Sequence, residues 1–275
     1  MLLKSIKMQM SQLFHKKTIL CIYFLLFGAV LWNFFENMHQ FHNGDVTQMM
    51  NPLKLSSLST WSPVMYYMMQ FYPLLLVIPT ASTYYDDKNS KILNYIQSRA
   101  GIRNYLVGKA VSIFFITVFL FTVPFITEII VYSITVPFFA QGDPSNFQYF
   151  QTIEKDSTLF LSQLYYFNDY IYTILSIIIF GIVTGIFAVF NFCITTIKIF
   201  NFRVFVYFPI YVLFYLINII GQFINYKYEI NYFLILPLFA VPENVNYGNY
   251  FIFCICLLII SITILILKIR ESDIV

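Results

Sequence analysis

The chain carries apolar runs too long and too numerous for a fold that meets water on all sides. Walking the sequence gives runs at about 18–35, 63–84, 106–136, 171–197, 204–224 and 250–268. Each is close to or longer than the roughly 20 residues that an α-helix needs to cross a hydrocarbon core about 30 Å thick. Only 11% of the residues are charged, whereas soluble domains have about a quarter. The expected fold is therefore an all-α polytopic membrane protein, with six transmembrane helices in one domain covering 1–275. Cys21, Cys193, Cys254 and Cys256 all fall inside apolar stretches and read as small hydrophobes, not as a disulfide framework or a zinc site.

Charge placement predicts the orientation. Lys4, Lys7, Lys16, Lys17, Lys88, Lys91, Arg99, Arg103, Lys109, Lys198, Arg203, Lys268 and Arg270 fall on one side of this layout. Only Lys54, Lys155 and Lys227 fall on the other, together with most of the acids. Basic residues are held on the cytoplasmic side, so both termini are expected there, in a multi-pass protein of the plasma membrane. The formal net charge of +3 is too small to suggest nucleic acid as a partner.

Residues 1–17 form a separate element. Leu2, Leu3, Ile6, Met10, Leu13 and Phe14 share an arc of about 120° on an ideal helix, with Lys4, Ser11 and Gln12 pointing away. This predicts an interfacial helix lying on the membrane. A cleaved signal peptide fits less well, because lysines and a Gln-Met-Ser-Gln stretch interrupt the run and no small-residue cleavage site follows.

Between the second and third runs, residues 85–105 form a cytoplasmic loop with structure of its own. Ile92, Leu93 and Ile96 are at helical spacing and Gly101 stands where a helix would stop, which predicts a short amphipathic helix parallel to the membrane. The order of residues here resembles that of the permease subunits of type 2 ABC exporters. Asp86 and Asp87 close the second run and Ile92 with Leu93 open the short helix. Ser98 and Arg99 follow, and Tyr105, Leu106, Gly108 and Lys109 open the third run. The acid is Asp where the class usually has Glu, and Ser90 stands where a Gly often precedes the helix.

The resemblance implies an ATP-driven exporter whose membrane subunit forms the translocation pathway, with peptides or antimicrobial peptides as cargo. It implies a coupling helix seated in a separate cytosolic ATPase, and a second copy or a related permease beside it in the lipid. Asp86, Asp87, Lys88, Ile92, Leu93, Ile96, Arg99, Arg103 and Lys109 would then form the ATPase-coupling joint. ATP and Mg would belong to the partner, with no cofactor in this chain. A phosphate-cradling loop needs Gly, four residues and then Gly-Lys-Ser or Gly-Lys-Thr, but Gly108-Lys109 is followed by Ala110 and preceded by Arg103 at the first Gly position.

In the fifth run Tyr207, Tyr211, Tyr215, Asn218 and Gln222 share an arc of about 80°, on a helix otherwise made of Val, Ile, Leu and Phe. Polar groups in hydrocarbon need partners, so this stripe is expected to turn toward other helices or a cavity. It reads equally as a pathway wall or as packing. In the fourth run Thr173, Gly181, Thr184, Ala188 and Asn191 share an arc, and Gly181 with Gly185 forms a small-xxx-small pair expected to pack helices closely. Residues 225–249 predict a re-entrant or interfacial pair of short helices, or an external loop.

Glu128 lies near the outer end of the third run, where a hydrated interfacial carboxylate is expected. His39, His42 and Asp45 are too loosely grouped to predict a metal site. A membrane-embedded enzyme would need clustered ionisable groups within the runs, and an ion-coupled transporter would need them at the midplane. The runs contain no such cluster.

Overall fold

The structure is a computed structural model that describes residues 2–42, 51–59, 62–136, 161–197, 202–223 and 247–273. The regular elements among them are all helical: α1 Leu2–Phe14, α2 Lys17–Gln40, α3 Pro63–Val77, α4 Thr83–Asn89 and α5 Ile92–Ala100 come first. Then follow α6 Ile102–Thr135, α7 Ser162–Phe167, α8 Asp169–Thr195, a 3-10 turn at Phe205–Tyr207, α9 Phe208–Phe223 and α10 Tyr247–Asp273.

Four helices among the described residues are long and apolar enough to cross a membrane: Lys17–Gln40, Ile102–Thr135, Asp169–Thr195 and Gly248–Glu271. The segments expected to be the second and fifth spans are shorter helices. At 15 and 16 residues, α3 and α9 rise about 22 and 24 Å, less than the hydrocarbon thickness. The expected 63–84 helix breaks after Val77 because Pro79 has no N–H to give to Leu75 and its ring crowds that carbonyl; a run of turns leads into α4. Ser62 caps α3, its Oγ accepting from Val64 N at 3.2 Å, with Pro63 in the first turn where no N–H is missed. Of the expected 225–249 element, residues 225–246 lie outside the described part, as does Asp45.

Two helices are central and two peripheral. More than half of the apolar window of α6 and α8 is buried, 56% and 61%, against 28% for α2 and for α10. The small residues of α8 explain the close pairing with α6. A Cβ on Gly181 would overlap Thr122 Cγ2, and one on Gly185 would lie 2.8 Å from Phe114 Cδ2. Thr173, Gly181, Thr184, Ala188 and Asn191, the predicted arc, are all buried. Where α3, α6, α8 and α9 meet, Tyr72 is fully enclosed: its hydroxyl is 2.8 Å from Thr184 Oγ1 and its ring stacks 6.2 Å from Phe214.

The α1 helix forms as predicted, but it packs on α6 through a different face. Ser5, Gln9 and Leu13 are buried, a row roughly 80° round from the centre of the apolar arc. The reason is Gly108: it leaves room for Ser5, whose Oγ donates to Asn104 O at 3.0 Å, and Ser112 Oγ reaches Ile6 O at 3.2 Å. Small residues let two helix backbones approach, so the polar edge of α1 is taken inward. Leu3, on the apolar arc, is left 81% exposed.

Candidate functional site

The α4–α5 joint is assembled from residues spread over the first 109 positions. The α5 helix starts after Lys91, whose φ of 58° is left-handed, and stops at Gly101, whose φ of 77° suits a residue without a Cβ. The predicted short helix with a terminal Gly101 is thus present. Ile96 is buried and Leu93 half-buried, anchoring α5 to the bundle. Ile92, Tyr95 and Arg99 form an exposed strip on successive turns, with Arg99 Cζ 4.3 Å above the Tyr95 ring. A guanidinium over an aromatic face is held by the ring quadrupole, so the strip presents an ordered combination of apolar surface and positive charge.

Beneath the strip lies an ion pair shielded from water. Asp87 Oδ2 accepts from Lys109 Nζ at 2.7 Å and from Tyr105 Oη at 2.7 Å. The Lys109 side chain is 1% exposed and that of Asp87 11%. Asp86, next in sequence, points the other way: its Oδ2 accepts from Lys16 Nζ at 3.0 Å and from Ser82 Oγ at 2.9 Å. The two acids therefore fasten α4 to α6 and to the α1–α2 corner.

This separates the predicted coupling residues into two groups. Asp86, Asp87, Ile96 and Lys109 are engaged within the chain, and Lys109 in particular is buried rather than offered to a partner. Lys88, Ile92, Arg99 and Arg103 are exposed, with Leu93 between the groups. The Tyr105-Leu106-x-Gly108-Lys109 sequence acquires a physical reading: Tyr105 and Lys109 hold Asp87, Leu106 is in the core, and Gly108 admits Ser5.

Of the stripe on α9, Tyr211 and Tyr215 are not turned into the bundle of their own chain. Ile210 and Phe214 take the inward face, with Phe214 5.1 Å from Phe187, while Tyr211 and Tyr215 are exposed and Tyr207 is partly buried. Phe214 takes the inward face because its ring fills the space beside Tyr72 and Phe187 without burying a hydroxyl. The side chains of Asn218 and Gln222 lie outside the described part. Asn191 Nδ2 donates to Val206 O at 3.2 Å and ties the start of this segment to α8.

A second polar centre, not anticipated from the sequence, sits at the other end of α6, about 29 Å from Lys109 along the helix axis. Glu128 is 2% exposed, not hydrated as expected. Its Oε1 accepts from Asn33 Nδ2 at 2.9 Å, Ser57 N at 2.9 Å and Ser57 Oγ at 2.6 Å. Asn37 Nδ2 donates to Tyr132 Oη at 2.8 Å, and Ser62 Oγ donates to Asn33 Oδ1 at 2.8 Å. Segment 51–59 folds over the ends of α2 and α6 and removes the carboxylate from solvent, and burial there also pushes the Lys54 ammonium down to about 8. The signal was available: Asn33 and Asn37 on α2 and Glu128 and Tyr132 on α6 are each four apart, two matched polar pairs on facing helices.

Glu128→Gln is expected to cost about 1–2 kcal/mol, because its carbonyl oxygen still receives the three donors while its N–H groups take the place of Oε2, which is buried without a partner. Glu128→Ala is expected to cost about 1–3 kcal/mol by leaving Ser57 N and the Asn33 amide without their acceptor. Thermal unfolding of the detergent-solubilised chain checks both.

His39 closes α2 and His42 follows it, and among the described residues no group of three His, Cys, Asp or Glu side chains is placed to hold a metal ion. Compared with known protein families, curated proteins and solved structures, the chain gives no match in any of the three.

Proposed function

We propose that the chain is the membrane-spanning permease subunit of an ATP-driven exporter of the type 2 ABC class. In this reading six segments cross the plasma membrane, α3 and α9 included, with both termini in the cytoplasm and α1 at the interface. The observation that carries the reading is the α4–α5 joint. An ordered apolar and basic strip, Ile92, Tyr95 and Arg99, stands exposed on α5, and the helix before it, α4, is fastened to α6 by the enclosed Asp87–Lys109 pair. An exposed aromatic-and-arginine patch on a stiff support is the composition of a protein docking surface. Motion delivered there would pass through α4 and α6 as rigid bodies instead of being absorbed locally. The partner is a pair of cytosolic ATPase subunits that bring ATP and Mg. The outward-facing Tyr211 and Tyr215 would meet a second copy or a related permease and line the pathway for peptide cargo, through ring faces and hydroxyls.

The test is co-purification in mild detergent with the native complement of proteins, followed by an ATPase assay. Arg99→Glu should leave membrane insertion intact and lower the recovered ATPase about tenfold or more, since like charges set across an interface cost several kcal/mol. Unchanged recovery would refute the joint, and a bare parent chain with no nucleotide-binding partner would refute the class.

A further inference from the structure

The bundle has an open apolar groove of about 550 Å³ between α6 and α10, floored by α8. Ala110, Val189, Ser261 and Leu265 form its buried floor, and Phe115 and Ile262 stand exposed at its rim. The floor is deep because Ala110 and Ser261 are small, and the Ser261 hydroxyl is turned away to Leu257 O at 2.7 Å. The walls are thus apolar from end to end, except at one end where Arg103 lines the mouth.

From Arg103 to Phe115 the groove runs about 18 Å along α6, close to the roughly 15 Å depth of one leaflet. Arg103 is exposed, and among the described residues no carboxylate pairs with it. It stands on the first turn of α6, where Gly101 offers no side-chain cap and the turn contains no acid. The N–H groups of that turn and the positive end of the helix dipole add to the guanidinium. An apolar trough one leaflet long, ending in an unpaired guanidinium at an uncapped helix start, matches a molecule with an acyl chain and an anionic head.

We infer that this groove is a binding site for an anionic phospholipid, with one acyl chain along α6 and α10 and the phosphate at Arg103 and the first turn of α6. The site does not depend on the transporter reading, and it can be tested on the chain alone. A tryptophan placed at the rim by Ile262→Trp, with Trp32→Phe and Trp61→Phe, serves as reporter in nanodiscs. The quenchers are brominated phosphatidylglycerol and brominated phosphatidylcholine. Phosphatidylglycerol should associate about fivefold more strongly, the preference that a single basic residue supplies near a membrane surface.

Arg103→Lys should keep the preference and Arg103→Gln should bring the two lipids to parity. Parity in the parent, or a preference that survives Arg103→Gln, would overturn the site. So would a reporter that neither lipid quenches, because protein would then fill the groove.

Discussion

Lys109→Met is expected to destabilise the folded bundle by about 3–5 kcal/mol, the loss that follows when one partner of a buried ion pair is removed and the other is left charged and enclosed. The Lys109 side chain is 1% exposed and its ammonium lies 2.7 Å from Asp87 Oδ2, so water has no ready access to replace it. Asp87→Leu should cost a similar amount for the opposite reason, stranding the ammonium and also the Tyr105 hydroxyl, which loses its acceptor.

The informative measurement is the combination. Asp87→Leu with Lys109→Met and Tyr105→Phe removes every member of the cluster at once, and apolar replacements of buried ion pairs are often neutral or stabilising. The triple variant should therefore unfold close to the parent in detergent titrations, far from the sum of its single losses. If the triple is as unstable as the sum, the three groups act separately and the cluster is not what holds α4 to α6. The same variant bears on function. If the pair serves only stability, the triple variant should co-purify with the proposed ATPase as fully as the parent does; if the polar geometry sets the angle of α5, recovery should fall while stability holds.

Much of this joint was legible in the sequence. Ile92, Leu93, Ile96 and Gly101 carry a local periodicity and a local stop signal, and helix α5 appears with the predicted residues because such signals act within one or two turns. What Lys109 does was not legible. Its partner is 22 positions away across a turn, and spacing alone does not distinguish a lysine that faces a partner protein from one that reaches back to Asp87. The same limit hid the burial of Glu128, which depends on segment 51–59 folding over α2 and α6. It also hid the rotation of α1, which depends on Gly108 meeting Ser5. Each of these is a packing outcome decided by a distant small or polar residue, while the helices themselves are decided locally. Pro79 is different: its effect on α3 is local, and an apolar count across 63–84 passes over it because hydropathy does not register a missing N–H.

Gly181→Ala is expected to cost about 1–3 kcal/mol, and more than the same change at Gly185, although the two glycines lie one turn apart on the same face of α8. The difference follows from what each new methyl would meet. At Gly181 it overlaps Thr122 Cγ2, and Thr122 has no freedom to retreat because its Oγ1 donates to Val118 O at 2.7 Å and its branch point is on the helix itself. The Val118 carbonyl at 3.4 Å leaves no alternative direction. At Gly185 the methyl meets one side of the Phe114 ring, Cδ2 at 2.8 Å and Cε2 at 3.0 Å, and Val118 Cγ2 at 3.0 Å. Phe114 lines the open groove beside α10 and has space to swing into.

Gly181→Ala should therefore separate α6 from α8 by backbone movement, and Gly185→Ala should be absorbed by a side-chain rotation. Thr122→Ala removes the colliding methyl, so Gly181→Ala with Thr122→Ala should recover most of the loss. Thr122→Ala should give little to Gly185→Ala, whose obstruction is elsewhere. Unfolding free energies of the parent and the five variants in one detergent form two mutant cycles with different expected couplings, substantial for the first pair and near zero for the second. Equal costs at Gly181 and Gly185, or a first coupling near zero, would mean that α6 and α8 are not in this register. The approach of the two central helices would then need a different alignment.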